Sequence, residues 1–215
     1  MYAAVLCDVY GTLVRDDETW AHEVVAAIAA RAGVDPEDVA TEWDTRIWAM
    51  ADAAHGPAFR TLADLNTSSL TATATHFGVR VDVAPPPPPR PPLFADSLPF
   101  LAAVKVPVCL VSDADNDRLR AVLDHHRITV AAVVTSEDAR AYKPRPEPFA
   151  LALRRLGVAT GEMVHVGDSP AADVVGAAAL GIATAFLSRD GRRLPPHLTA
   201  THTITTLTDL VPLLG

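Results

Sequence analysis

The stretch Asp8-Val9-Tyr10-Gly11-Thr12-Leu13 follows directly on the apolar run Tyr2 to Cys7. A short buried strand therefore stops at an acid, and the chain turns at Gly11. Open parallel sheets hold ligands at the carboxyl ends of their strands, and a carboxylate placed there can be a nucleophile, a metal ligand or both; on this stretch alone, a turn-capping role for Asp8 is the alternative. Later apolar runs end in the same manner, at Ser112-Asp113, at Thr135-Ser136-Glu137-Asp138 and at Gly167-Asp168-Ser169. Lys143, in Tyr142-Lys143-Pro144-Arg145-Pro146, stands just before a helix start. If the runs are parallel strands, Asp8, Ser112 and Asp168 converge on one edge within reach of the Lys143 ammonium. Converging carboxylates repel unless a cation joins them, and hard oxygen donors with room for water suit Mg²⁺.

The elements that must hold these groups alternate regularly in the second half of the chain. Strands are expected at Val106 to Val111, Val130 to Val134, Met163 to Val166 and Ala183 to Leu187. Helices are expected at Asp115 to His126, Pro146 to Leu156 and Ala171 to Leu180, and a tail with His202 to Ile204 and Leu207 to Leu214 follows. Such alternation with short loops gives right-handed crossovers and a doubly wound parallel α/β sheet, covered on both faces, to which the first strand also belongs. Residues 15–84 differ: they are alanine-rich with helical spacing, Trp20, Val24, Ala27 and Ile28 on one face and Trp43, Ile47, Met50 and Ala54 on another. Asp35-Pro36-Glu37 reads as a helix start, capped by Asp35 with Pro36 in the first position. The proline run at 85–92, broken only by Arg90, is stiff and extended. It reads as the return from a small helical domain (15–84) inserted into a core domain formed by 1–14 and 93–215.

Composition narrows the function. The 26 acidic side chains outnumber 18 basic ones, and the net charge of −8 disfavours a nucleic-acid backbone as partner. Cys7 and Cys109 both lie in apolar runs and read as small core residues rather than a disulfide. A reducing, cytoplasmic setting is expected. No apolar run is long enough for a membrane span, and no leader pattern opens the chain.

These stretches together resemble the haloacid dehalogenase superfamily, whose members are mostly phosphatases. Asp8-Val9-Tyr10-Gly11-Thr12 resembles the family's first motif, Val111-Ser112 the second, Lys143-Pro144 the third, and Gly167-Asp168-Ser169 with Asp173 the fourth. Residues 15–84 resemble the helical cap that many members insert after the first motif. The resemblance implies that Asp8 attacks phosphorus to form an aspartyl phosphate, which water hydrolyses. It implies Mg²⁺ as cofactor, held by Asp8, the Tyr10 carbonyl and Asp168, with Asp173 supporting metal-bound water or its neighbours. Ser112, Lys143 and the amides around Gly11 and Thr12 would cradle the phosphoryl oxygens of a small metabolite. Tyr10 and Asp113 complete the expected substrate contacts, and Thr12 joins Asp8, Ser112 and Lys143 as catalytic. Helix capping by Ser112 or Asp173, and a solvated Lys143, are the simpler roles for those residues. His165, inside a strand, reads as a packed histidine, and His125-His126 read as solvated helix-end residues.

The sequence departs from the phosphatase pattern at one position. Phosphatases of the superfamily carry a second aspartate two residues after the nucleophile, as general acid and then base; here it is Tyr10. Tyrosine there resembles the 2-haloacid dehalogenases, whose halide leaving group needs no proton. Against dehalogenation, Asp168 keeps the metal ligand that those enzymes lack. The residue after Trp43 is Asp44, not an arginine that could receive halide, and Arg46 faces elsewhere on a helix. The expectation is a phosphohydrolase, with a dehalogenase and a catalytically quiet phosphoryl-binding protein as the alternatives.

Overall fold

A computed structural model describes residues 1–16, 19–83 and 90–215. The chain runs β1 (Ala4–Cys7), α1 (Thr19–Ala32), α2 (Pro36–Ala53), α3 (Leu62–His76), α4 (Ser97–Ala103), β2 (Val108–Ser112), α5 (Asn116–His126), β3 (Ala132–Thr135), α6 (Ser136–Ala139), α7 (Pro146–Leu156) and β4 (Met163–Gly167). A π-helical turn (Pro170–Val175), α8 (Gly176–Ala178), β5 (Ala183–Leu187), β6 (His202–Ile204) and a 3₁₀ turn (Leu207–Leu213) complete it. The six strands form one parallel sheet in the order β3-β2-β1-β4-β5-β6. β1 lies at its centre, with Val5 opposite Val108 on one side and Val164 on the other.

Side chains alternate across a strand, so each strand feeds two layers. Val5 and Cys7 pack on one face with Leu110, Val166, Phe100 and Leu119. Ala4 and Leu6 pack on the other with Cys109, Val111, Phe149 and Met163. Cys7 and Cys109 are both buried and free. Their opposite faces keep the sheet between them, which is why adjacent, registered strands carry no disulfide.

Two expectations change. The helix expected at Ala171 to Leu180 is instead the π-helical turn followed by the short α8. The wider turn lets the Asp173 carboxylate fold back onto the Ser169 amide. His126 is not free at its helix end: its Nε2 donates to the Pro91 carbonyl at 2.7 Å, anchoring part of the proline run. Residues 85–89 of that run, with Ala84, lie outside the described residues. The tail supplies β6, which pairs with β5.

The chain leaves the sheet region and returns to it side by side. Val14 bridges Leu93, the Arg15 amide donates to the Pro92 carbonyl at 2.9 Å, and Ser97 Oγ donates to the Leu13 carbonyl at 2.6 Å. Between these points lie α1, α2 and α3, packed around Val24, Ile28, Val39 and Leu70. As expected, Asp35 caps α2, accepting from the Glu37 amide at 2.9 Å, with Pro36 in the first turn. The end of this helical layer is tied back to the strand ends. Asp115, just after β2, accepts from the Leu62 and Ala63 amides at 2.7 and 2.9 Å, so a carboxylate from the sheet edge satisfies the first amides of α3. Nearby, the Tyr142 hydroxyl donates to the Arg60 carbonyl at 2.8 Å, and its ring stacks on Phe59. Replacing Asp115 with alanine takes that partner from both part-buried amides and should lower unfolding free energy by about 2 kcal/mol. Urea denaturation would read this loss, and limited proteolysis should show earlier cleavage around 55–62; unchanged stability would show that α3 is held by its packing alone.

Candidate active site

Each strand end delivers its acid or hydroxyl to one edge, as expected of parallel strands. Asp8 follows β1, and its amide donates to the Val166 carbonyl at 2.9 Å, which fixes its height relative to β4. Its carboxylate is buried. Lys143, equally buried, reaches across from the loop before α7: Nζ donates to Asp8 Oδ1 at 2.7 Å and to Asp173 Oδ1 at 2.6 Å. Two carboxylates share one ammonium. Burial by itself would lower the Lys143 pKa, but Asp173 and Asp8 overcome this and hold it well above the usual lysine range.

Asp173 is the most heavily satisfied acid of the group. Oδ1 also accepts from His165 Nε2 at 2.9 Å, and Oδ2 accepts from the Ser169 amide at 2.9 Å. Burial would raise its pKa; Lys143 and the His165 hydrogen bond more than offset that and keep it well below the usual carboxylate range. Asp8 is in the opposite position. Burial pushes its pKa up to about 8, opposed by Lys143 and reinforced by Asp173 and Asp168. Asp168 is raised too, by burial and by Asp173, with Arg192 opposing.

This charge balance tests whether a metal fits. One oxygen from each of Asp8, Asp168 and Asp173 lies within 4.8 Å of the others, a hard-oxygen set of the kind that holds Mg²⁺. Lys143 alone leaves the cluster over-charged: burial first, and the neighbouring carboxylates after it, raise the pKa of Asp8 and of Asp168. A divalent cation between these carboxylates would remove that mismatch, so the donor set fits the ion. Gly11 makes the approach possible: its φ is +76°, and a Cβ there would lie 2.6 Å from Asp168 Oδ1, so only glycine admits both the turn and the carboxylate.

The remaining expected residues take distinct places. Thr12 and Ser112 are buried, and neither Thr12 Oγ1 nor Ser112 Oγ has a hydrogen-bond partner among the described residues. Buried hydroxyls without partners are costly unless something else satisfies them. A ligand oxygen would do so. Asp113 does not project freely: its Oδ1 accepts from the Lys143 amide at 3.0 Å, so it anchors the loop that carries Lys143. Burial raises its pKa to about 6. Tyr10 is half-buried against the core, and burial pushes its phenol up to about 12. Arg46 is paired with Glu42 on α2 and hydrogen-bonded to His76 of α3 at 3.3 Å.

Two partners of the site are not apparent in the sequence. Arg192 Nη2 lies 3.1 Å from Asp168 Oδ2, and nothing in the sequence around Arg192 announces it. Read as a packed histidine, His165 does stack edge-on against Phe149, but it also holds Asp173. A cleft of about 610 Å³ opens beside Gly11 and Asp168, walled by Arg15, Arg189, Arg192 and Thr206; Arg189 is fixed there by its Nη2 donating to the Thr12 carbonyl at 2.7 Å.

Comparison with known proteins places this arrangement. The chain is 40% identical over 79 residues to haloacid dehalogenase-like hydrolase domain-containing protein 3 of Danio rerio, a match covering 36% of this chain and 33% of that protein. It is 29% identical over 126 residues to (S)-2-haloacid dehalogenase 4A of Burkholderia cepacia, covering 56% of this chain and 53% of the relative. The matches thus span from a third to about half the length of these curated relatives. Among solved structures, the L-2-haloacid dehalogenase of Xanthobacter autotrophicus with chloropropionic acid covalently bound superposes with a TM-score of 0.75 at 20% identity, over 99% of this chain and 98% of that one. A HAD phosphatase from Thermococcus onnurineus does so with a TM-score of 0.68 at 22% identity, over 98% and 96%. At such identities the likeness carries the fold. The model of the haloacid dehalogenase-like hydrolases matches residues 2–181, a span that holds every residue of the acid and lysine cluster, and the chain belongs to that family of enzymes.

Proposed function

We propose that the protein is a Mg²⁺-dependent phosphohydrolase of a small phosphorylated metabolite, working through an aspartyl phosphate on Asp8. The observation that carries this reading is the retained acid cluster, in which Asp168 sits with Asp8 and Asp173 within 4.8 Å. Asp8, Asp168 and the Tyr10 carbonyl would hold the cation, with Asp173 supporting its neighbours. When bound, the cation offsets the negative charge of the carboxylates and of the phosphoryl group.

The chain's own residues account for the rest. Lys143 engages Asp8 Oδ1, which turns the carboxylate and leaves Oδ2 to attack phosphorus. The Thr12 and Ser112 hydroxyls, lacking protein partners, and the Lys143 ammonium receive phosphoryl oxygens. As the Asp8 Oδ2–P bond forms, the bond from phosphorus to the leaving oxygen breaks, and that oxygen takes its proton from water. A second water then attacks phosphorus, the P–Oδ2 bond breaks, and Asp8 is restored with release of inorganic phosphate. Tyr10 cannot speed the first step well: a phenol held near pKa 12 is a weak donor near neutrality.

The second reading, 2-haloacid dehalogenation, is favoured by Tyr10 and by the names of the Burkholderia cepacia relative and the Xanthobacter autotrophicus structure. The same Asp8 would then displace halide from carbon. It lacks a halide-receiving arginine at Arg46, which is bound to Glu42 and His76. A panel of phosphate esters and 2-haloacids, assayed with Mg²⁺ and with chelator, separates the two. Chelator-resistant halide release without phosphate release would overturn the phosphohydrolase reading.

Three outcomes are expected of variants. Asp8→Asn should keep the fold and lose turnover by about 10⁴-fold or more, since the amide has no anionic oxygen to attack; full activity would end the covalent mechanism. Asp168→Ala should raise the Mg²⁺ needed for half-maximal rate beyond the roughly 10- to 100-fold that loss of an outer partner costs, and an unchanged Mg²⁺ dependence would remove Asp168 from the metal site. Wild-type enzyme should cleave acyl and aryl phosphates much faster than alkyl phosphates. Tyr10→Asp should raise alkyl turnover by about 100-fold, the low end of general acid catalysis. Equal wild-type rates on both ester types would mean that another group supplies the proton.

A further inference from the structure

β4 presents Met163, His165 and Gly167 to one face of the sheet and Val164 and Val166 to the other, as strand alternation requires. On the first face, Met163 lies in the apolar layer with Phe149, Ala152 and Ala177. His165 is 1% exposed in that layer, its ring edge-on to Phe149 with centroids 5.1 Å apart. An imidazole is an expensive filler there. Packing alone would be served by leucine or phenylalanine, so the ring's polar contact needs its own account.

That contact is specific. Nε2 meets Asp173 Oδ1 at 2.9 Å, and because Asp173 is a carboxylate acceptor, the proton is assigned to Nε2. The other nitrogen, Nδ1, is buried and has no partner among the described residues. Burial disfavours the charged ring, leaving His165 a neutral, one-sided donor. The floor under the carboxylate is equally particular. A Cβ on Gly167 would stand 2.2 Å from Asp173 Oδ2, so Asp173 rests on the bare backbone two residues beyond His165. From above, the π-helical turn brings it there, and the Ser169 amide takes Oδ2. Oδ1 then faces Lys143 Nζ, whose other carboxylate partner is Asp8.

We infer that His165 is a positioning residue for hydrolysis: its Nε2–H orients Asp173, which in turn aims the Lys143 ammonium at the nucleophile Asp8. The inference rests on the hydrolytic reading of this cluster and extends it to a residue that touches neither phosphorus nor cation. Without the donor, the Asp173 carboxylate keeps the Ser169 amide on Oδ2, but Oδ1 is left with Lys143 alone and can shift with it. The oxygens that face the cation site then lose their fixed spacing.

The test compares His165→Leu, which keeps bulk and loses the donor, with His165→Gln, whose side-chain amide nitrogen reaches about as far as Nε2. His165→Met serves as a second donorless variant if the leucine protein does not fold, with circular dichroism as the check. Mn²⁺ affinity by calorimetry and kcat and KM for an aryl phosphate are measured on each. Donor loss should weaken Mn²⁺ binding and lower kcat by about 10- to 100-fold, the range seen when an outer partner of a metal ligand is removed. KM should change little, and glutamine should recover most of both losses. A folded donorless variant with wild-type Mn²⁺ affinity overturns the role of His165, as does a glutamine variant no better than leucine. If the wild type binds Mn²⁺ with His165-dependent affinity yet cleaves no phosphate ester, the positioning role stands and the phosphohydrolase reading falls. Absence of any Mn²⁺ binding by the wild type overturns both.

Discussion

The buried ammonium of Lys143 is the constraint on which the site depends. An isolated charge inside a protein is strongly disfavoured, and a pair is tolerated only when geometry and further hydrogen bonds satisfy it. Lys143 meets this by donating to Asp8 and Asp173 at once, while its own amide is held by Asp113. Both partners are fixed against β4: Asp8 through the Val166 carbonyl, Asp173 through His165 and through the Ser169 amide just beyond the strand. Removing the ammonium would leave several buried carboxylates with nothing between them. The loops that follow β1, β2 and β4 are thus held in register by one electrostatic junction as much as by the sheet beneath them.

The sheet explains why so much of this was legible. Parallel strands end at one edge, so the rule that places Asp8 after an apolar run also places Ser112 and Asp168, and the alternation of strand and helix needed no contact information to be read. Asp35 and Pro36 were legible for a similar reason, because a helix start is a local event. Cys7 and Cys109 followed from hydrophobic context alone.

What was not legible depends on pairs distant in sequence. Asp113 was expected among the substrate contacts, yet its carboxylate is turned to the amide of Lys143. Adjacent residues on an extended chain point in opposite directions, and which of them faces the cleft is decided by what the next loop offers. Arg192 on Asp168 and Asp115 on the first turn of α3 are contacts of the same kind. The π-helical turn was missed because apolar periodicity over a few residues does not separate it from an α-helix.

The glycines next to the acids are the subtler local signal. Gly11 and Gly167 stand where a Cβ would strike Asp168 and Asp173 respectively. The two cases differ in kind. Gly11 also needs a positive φ, so the turn alone explains it. Gly167 ends β4 with no such demand. Its presence is explained only by the carboxylate that occupies the missing side chain's volume. Gly167, which backbone geometry does not require, therefore marks a close approach, and the approaching group is the acid that His165 and Lys143 both grip.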